Sequence, residues 1–241
     1  MTLVDYRNNA SLYAEYYSRL SISGTQFLAF RDIPQLIKQY VLGTTTLDYG
    51  SGAGKSSLYL KSLGLNVDGV DINEDMINRA KDLDPIGKYK VINSAEIPIQ
   101  DKYYDLVFSS WVLMEVSSKQ ELLKITQEVA RILKVGGTFI TVLCNKDTYN
   151  NDWLSENTQF EENKGLNSGS IVKIRFKEID LTIYDYFWSD EDYCEVITKA
   201  GLTIVHTHNP IGKDSDGYAW VNEKEKSPCT IYIAKKLTEV S

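Results

Sequence analysis

Between residues 44 and 144 the chain alternates short, continuously apolar runs with longer stretches whose apolar residues recur every three or four positions. The runs "TTTLDYG" (44–50), "LNVDGVDI" (65–72), "YKVINS" (89–94), "YYDLVFSS" (103–110) and "TFITVLC" (138–144) have the length and composition of buried strands. The stretches between them read as helices. "KSSLYLKSLG" puts Leu58, Leu60 and Leu63 near one face and ends at Gly64. "NEDMINRAKDL" opens with Asn73 as N-cap and spaces Met76, Ile77 and Ala80 along an apolar face. "SSKQELLKITQEVARILKVGG" begins with the capping box Ser118-x-x-Glu121, carries Leu122, Ile125, Val129 and Ile132, and stops at Gly136-Gly137. Strands separated by helices of this length predict a parallel sheet with right-handed crossovers.

After Cys144 the pattern changes. Residues 145–169 are polar and Asn-rich, with weak periodicity. "SIVKIRF" and "IDLTIYDYF" alternate as two antiparallel strands should. Ser189-x-x-Asp192 opens a helix that ends at Gly201, and "LTIVHTH" and "CTIYIAK" read as closing strands. Near the start, Tyr13, Tyr16, Tyr17 and Leu20 share one helical face, either as core packing or as a lid over a cleft. The expectation is one domain, residues 1–241. Within it, 1–43 form an N-terminal helical lid, 44–144 the core, 145–188 an insertion or cap, and 189–241 the rest of the sheet.

Composition narrows the function classes. A formal net charge of -7 opposes phosphate backbones and disfavours nucleic acid as a partner. No apolar run approaches the ~18 residues that span a membrane, and the N-terminus shows no signal-peptide pattern. The three cysteines form no CxxC pair and read as buried thiols of a cytoplasmic protein.

The candidate chemistry starts at "LDYGSGAGKSS" (47–57), a Gly-rich turn between a strand and a helix. Nucleoside triphosphates, dinucleotides and S-adenosylmethionine (SAM) are all held by such units. A P-loop requires a glycine five positions before Gly54, where Tyr49 stands. The dinucleotide fingerprint requires its third glycine at 55, and it falls at 54. What remains is Asp48-x-Gly50-x-Gly52-x-Gly54. A carboxylate at the strand end is a poor neighbour for a pyrophosphate and suits a ligand with a cationic ammonium, such as SAM. Glycines let the backbone approach that ligand closely. Asp71, about twenty residues on, is placed for the two hydroxyls of a ribose.

With these residues the chain resembles the class I SAM-dependent methyltransferases. "MINRA" resembles their M-x-x-x-A helix, "NSAEIP" their G-D-A-E-x-L-P element with Ser94 in place of Asp, and "LKVGGTFI" their L-K-P-G-G element with Val135 in place of Pro. Ala200-Gly201-Leu202 resembles the A-G-F start of a late strand. The resemblance implies an α/β, Rossmann-like fold with a seven-stranded, mostly parallel sheet flanked by helices, and a small insertion between the fifth and sixth strands. It implies SAM as cofactor, S-adenosylhomocysteine as product, and a cofactor site drawn from Tyr13, Arg31, Asp48, Gly50, Ser51, Gly52, Asp71, Ile72, Met76, Ser94, Ala95, Glu96 and Ser109. Tyr13 belongs to an A-x-x-Y-[DE] opening, and Arg31 is its candidate partner for the cofactor carboxylate.

For the acceptor, Tyr16, Trp111, Tyr186 and Trp188 are aromatic candidates, each equally readable as packing. Glu115, His206 and His208 are candidate proton acceptors. No ligand spacing suggests a metal. The expected reaction is methyl transfer to an N, O or C nucleophile of a small aromatic or heterocyclic molecule, and the segment "DYFWSDEDYCEVITKAGL" resembles toxoflavin-type heterocycle methyltransferases. A non-catalytic SAM-binding regulator and an NAD-linked oxidoreductase are the alternatives. A monomer and a homodimer remain equally open.

Overall fold

The computed structural model describes residues 2, 3 and 9–238. A two-residue strand, β1 (Thr2–Leu3), precedes the helices α1 (Ala10–Tyr17), α2 (Thr25–Arg31) and α3 (Ile33–Tyr40). The alternating middle follows as β2 (Thr45–Tyr49), α4 (Lys55–Ser62), β3 (Asn66–Asp71), α5 (Glu74–Leu83), β4 (Lys88–Val91), β5 (Tyr104–Ser110), α6 (Lys119–Ile132) and β6 (Leu133–Leu143). Then come β7 (Glu156–Asn157), the hairpin β8 (Ile171–Phe176) and β9 (Leu181–Tyr186), α7 (Asp190–Lys199), β10 (Thr203–His208) and β11 (Thr230–Lys235).

Seven strands form the main sheet in the order β10-β11-β6-β5-β2-β3-β4. Only β11 runs antiparallel to its neighbours, so the sheet is mostly parallel, as expected. Its strands are buried on both faces. Leu47, Val107 and Phe139 face α6, while Leu106, Phe108 and Ile140 face α3 and α4. The chain builds outward from β2 to β4 and then returns to the other side of β2 with β5. At that reversal the carboxyl ends of β2 and β5 part and open a crevice. Among the described residues, no helix is long and apolar enough to cross a membrane.

The caps act partly as predicted. The Asn73 side chain accepts from the backbone N–H groups of Asp75 and Met76, and Ser189 and Asp192 cap reciprocally. At α6 only half of the box forms. Ser118 accepts from Glu121 N–H at 3.2 Å, but the Glu121 carboxylate turns away to accept from Ser94 Oγ at 3.0 Å. The Gly136-Gly137 pair also departs from expectation, because β6 already starts at Leu133 and absorbs both glycines beside a register shift against β5.

A second sheet, β1-β9-β8-β7, is built from the insertion and the chain start. The first 43 residues are therefore not purely helical, since β1 pairs in parallel with β9. The polar stretch before the hairpin folds on side-chain to backbone bonds. Fully buried Asn163 donates to the carbonyls of Thr158 and Lys173 and accepts from Lys173 N–H. Such bonds leave no periodic trace in sequence.

Candidate functional site

A cavity of about 290 Å³ occupies the crevice between the ends of β2, β3 and β5, and α1 lies across it. The Gly-rich loop forms its floor. Gly50 sits at φ +75°, where an added Cβ would fall 2.1 Å from Val112 Cγ2. Gly52, at φ +49°, has no protein atom within 4 Å of the same position and so leaves the cavity open above its backbone. Its N–H donates to Asp71 Oδ2 at 2.8 Å, and Asn73 N–H donates to Asp71 Oδ1 at 2.8 Å. Asp71 thus straps the loop to the start of α5. Each carboxylate oxygen has capacity for a further hydrogen bond toward the cavity. Burial raises the Asp71 pKa, and the backbone N–H groups partly offset this. Ile72, half exposed, and buried Met76 line the same wall.

On the opposite wall stand Ser94 and Glu121, joined by the bond that breaks the capping box. The Tyr49 hydroxyl, also on the cavity, donates to the Ser94 carbonyl. Sequence reasoning assigned Glu121 wholly to its helix cap. Only the three-dimensional approach of Ser94 reveals its second position.

The roof is aromatic. Tyr13 and Tyr17 on α1 stack with centroids 4.9 Å apart, and Tyr13 OH donates to Glu115 Oε1 at 2.8 Å. Burial, then the nearby charge of Asp185, pushes the Glu115 carboxyl well above the ordinary carboxylate range. Trp111 follows β5 at φ +56°, a conformation that costs a bulky residue of the order of 1–2 kcal/mol. Its ring faces three spaces at once. One is the main cavity, one a cleft of about 90 Å³ over the Gly-rich loop, and one a recess of about 20 Å³ beneath α1.

Several predicted site residues lie elsewhere. Asp48 does not point into the crevice. It is buried, and its Oδ2 accepts from Ser56 Oγ at 2.7 Å and Ser57 Oγ at 2.6 Å, tying the first turn of α4 to β2. Burial pushes its carboxyl up to about 6 against the pull of those hydroxyls. Arg31 turns outward to Asp32 and to Asp216, each at 2.9 Å, because these carboxylates satisfy its guanidinium at the surface end of α2. Ser109 is buried on the sheet, and Ser110 lines the cavity instead. Ser51 lines the cleft over the loop, where Lys55 also stands, bonded to the Leu20 carbonyl. Lys55 thus ties the loop to the chain after α1. Ala95 and Glu96 line a separate shallow groove with Arg131.

The acceptor candidates divide as well. Of the four aromatics, only Trp111 reaches the cavity. Tyr16 is half-buried on α1, packed against the cluster that holds Tyr13 and Phe176, with Arg19 over its ring at 4.8 Å. Tyr186 packs on the core beneath α6, and buried Trp188 donates from Nε1 to the Val116 carbonyl at 3.0 Å. His206 stacks on Tyr40, and His208 bonds Asp32 at 2.8 Å. Both histidines sit on edge strand β10, three strand spacings or about 14 Å from β5. Glu115 alone of the proton-acceptor candidates lines the cavity.

Residues 47–141 match the family described as "Methyltransferase domain". They form a methyltransferase domain. The chain is 34% identical over 100 residues to an uncharacterized methyltransferase of Synechocystis, an overlap of 42% of this chain and 47% of that one. It is 30% identical over 111 residues to a sarcosine/dimethylglycine N-methyltransferase of Aphanothece halophytica, over 43% of this chain and 39% of that one. The chain thus spans less than half the length of either curated relative. The solved structure of a putative SAM-dependent methyltransferase from Listeria monocytogenes shares the fold, with a TM-score of 0.64 at 22% identity over 88% of this chain and 99% of that one.

The cavity fits SAM by its own chemistry. A backbone that a Cβ would obstruct, open space above Gly52 and a carboxylate with spare acceptor capacity suit the ribose and tail of a nucleoside.

Proposed function

We propose that this protein transfers a methyl group from SAM to a small-molecule acceptor that enters between Trp111 and α1. The observation that carries the reading is the continuity of the cavity. Asp71 and Gly52 stand on one side of it, and Trp111 and the Tyr13–Glu115 pair stand on the other. In this reading Asp71 accepts from the ribose hydroxyls, and the Gly52 backbone lies against the amino-acid tail. Ser94 and Glu121 bracket the adenine. Ile72 and Met76 supply its apolar contacts.

When bound, SAM supplies an electrophilic methyl on a sulfonium. The chain's residues then need to hold the acceptor in line and dry, and such positioning provides most of the acceleration in a displacement of this kind. Tyr13, Tyr17 and Trp111 exclude water and offer ring faces to positive charge. Glu115, with its raised proton affinity, takes the acceptor proton at its carboxylate where the acceptor must lose one. The Aphanothece relative, named for methylation of two small amino acids, supports a small molecule as acceptor here.

The test is incubation with methyl-labelled SAM and a fractionated metabolite extract. The reading expects label in a small molecule, with S-adenosylhomocysteine formed one for one. Cofactor binding with no turnover in any fraction would make the protein a SAM-binding regulator instead.

A further inference from the structure

The recess beneath α1 is chemically unlike the cavity it adjoins. Glu115, Asp185 and Glu156 line it from three different parts of the chain, Asp185 and Glu156 buried and Glu115 half-buried. Gln26 apart, its remaining surface is made of aromatic rings, Tyr17, Trp111 and Phe176 among them, and of aliphatic and sulfur-bearing side chains. Tyr17 and Phe176 meet edge-on at 5.7 Å. Among the described residues, no Lys, Arg or His lines it.

Two of the lining side chains point to a ligand. Glu156 on β7 is 9% exposed, lines the recess, and makes no side-chain hydrogen bond or ion pair with any described residue. Gln26 on α2 is also 9% exposed and lines both the recess and the cleft over the Gly-rich loop, and its amide has no partner among the described residues. Both side chains keep hydrogen-bonding capacity for a ligand in the recess. Burial, then Glu223 and Asp185, pushes the Glu156 carboxyl up to about 7, against the pull of Lys177. A cation in the recess would relieve that repulsion. Among the described residues, no three His, Cys, Asp or Glu side chains converge closely enough to hold a metal ion. Carboxylates set apart around ring faces suit a larger, softer cation, an organic ammonium.

We infer that the recess binds the ammonium group of the acceptor, so that the acceptor is a primary or secondary amine carried as a cation, its nitrogen facing Glu156 with Trp111 and Tyr17 as ring walls. The small volume, about 20 Å³, favours such a head group over a bulkier quaternary one. Gln26 supplies a polar contact from the loop side. The inference rests on the methyl-transfer reading and names the substrate class of that site.

The test uses three probes of one skeleton, phenethylammonium, neutral 2-phenylethanol and anionic phenylacetate. Each is titrated calorimetrically into the protein with S-adenosylhomocysteine present, and S-adenosylhomocysteine is titrated alone first. The amine is expected to bind at least about tenfold tighter than the alcohol, the effect of one charge-assisted hydrogen bond plus cation–π contact, and phenylacetate weakest. Glu156→Gln is expected to remove most of the amine's advantage while 2-phenylethanol binds as before, which also shows that the variant is folded. Equal affinity for amine and alcohol in the wild-type protein, no amine binding, or an unchanged ratio in Glu156→Gln overturns the inference. If S-adenosylhomocysteine itself fails to bind, the methyl-transfer reading is the one that falls.

Discussion

The two halves of the cavity are made in different ways. The ribose and tail part of the cofactor half is local. Asp71, the Gly-rich loop and the start of α5 lie within about twenty-five residues of one another, and backbone N–H groups hold the key carboxylate. The acceptor half is assembled from distant segments. α1, α2, the turn after β5, Cys144 after β6, and β7, β8 and β9 each give one to three side chains, and the acids among them are held by burial and by side chains. A local device built on main chain has little freedom to change its ligand. A wall of side chains from seven segments can change its specificity one residue at a time.

The largest effect is expected where the cofactor half is tightest. Gly50→Ala adds a left-handed backbone penalty to an overlap with Val112, together about 3 kcal/mol or two orders of magnitude in S-adenosylhomocysteine affinity by calorimetry. Gly52→Ala, with no protein atom in the way, should show only the backbone part. Equal losses for the two would mean that the loop is not the tight floor described.

The acceptor half predicts a pH effect. Folding carries the Glu156 pKa from an ordinary 4.5 up to about 7. The protonated form is favoured by folding, so this contribution is complete below about 4.5 and is lost as pH rises through 7. Glu156→Gln, neutral throughout, should therefore gain roughly 2–3 kcal/mol on the wild type between pH 5 and pH 8, read from urea unfolding. A difference that stays flat with pH would place Glu156 in an ordinary solvated setting.

Next in size, Asp71→Ala should weaken S-adenosylhomocysteine by at least about tenfold, since it removes both the strap and the ribose acceptor. Unchanged affinity would refute the ribose assignment. The smallest effect belongs to Arg31→Ala. Its guanidinium is spent on Asp32 and Asp216, so cofactor affinity should stay within about twofold while some stability is lost. A large affinity loss would return Arg31 to the cofactor carboxylate.

This division also explains what the sequence disclosed. The sheet from β2 to β6 was legible because buried strands and amphipathic helices leave periodic marks, and the loop was legible because glycines at fixed spacing record a backbone shape. Asp48 was found but its direction was not. Strand position says that a residue ends at the crevice, while only the hydroxyls of Ser56 and Ser57 decide that it turns away. β1 escaped notice because two residues carry no period, and Asn163 because its bonds to Thr158 and Lys173 depend on the fold around it. Glu156, Asp185 and Gln26 lie far apart in the chain, and nothing local marks them as neighbours.

The most direct test of the account titrates two ligands into two variants. S-adenosylhomocysteine and, with it bound at saturation, phenethylammonium are measured by calorimetry in Asp71→Ala and Glu156→Gln. The predicted result is a crossed pattern. Asp71→Ala loses S-adenosylhomocysteine affinity and keeps the amine, and Glu156→Gln loses the amine and keeps S-adenosylhomocysteine. Parallel losses of both ligands in either variant would contradict it, because the two halves would then be one undivided site.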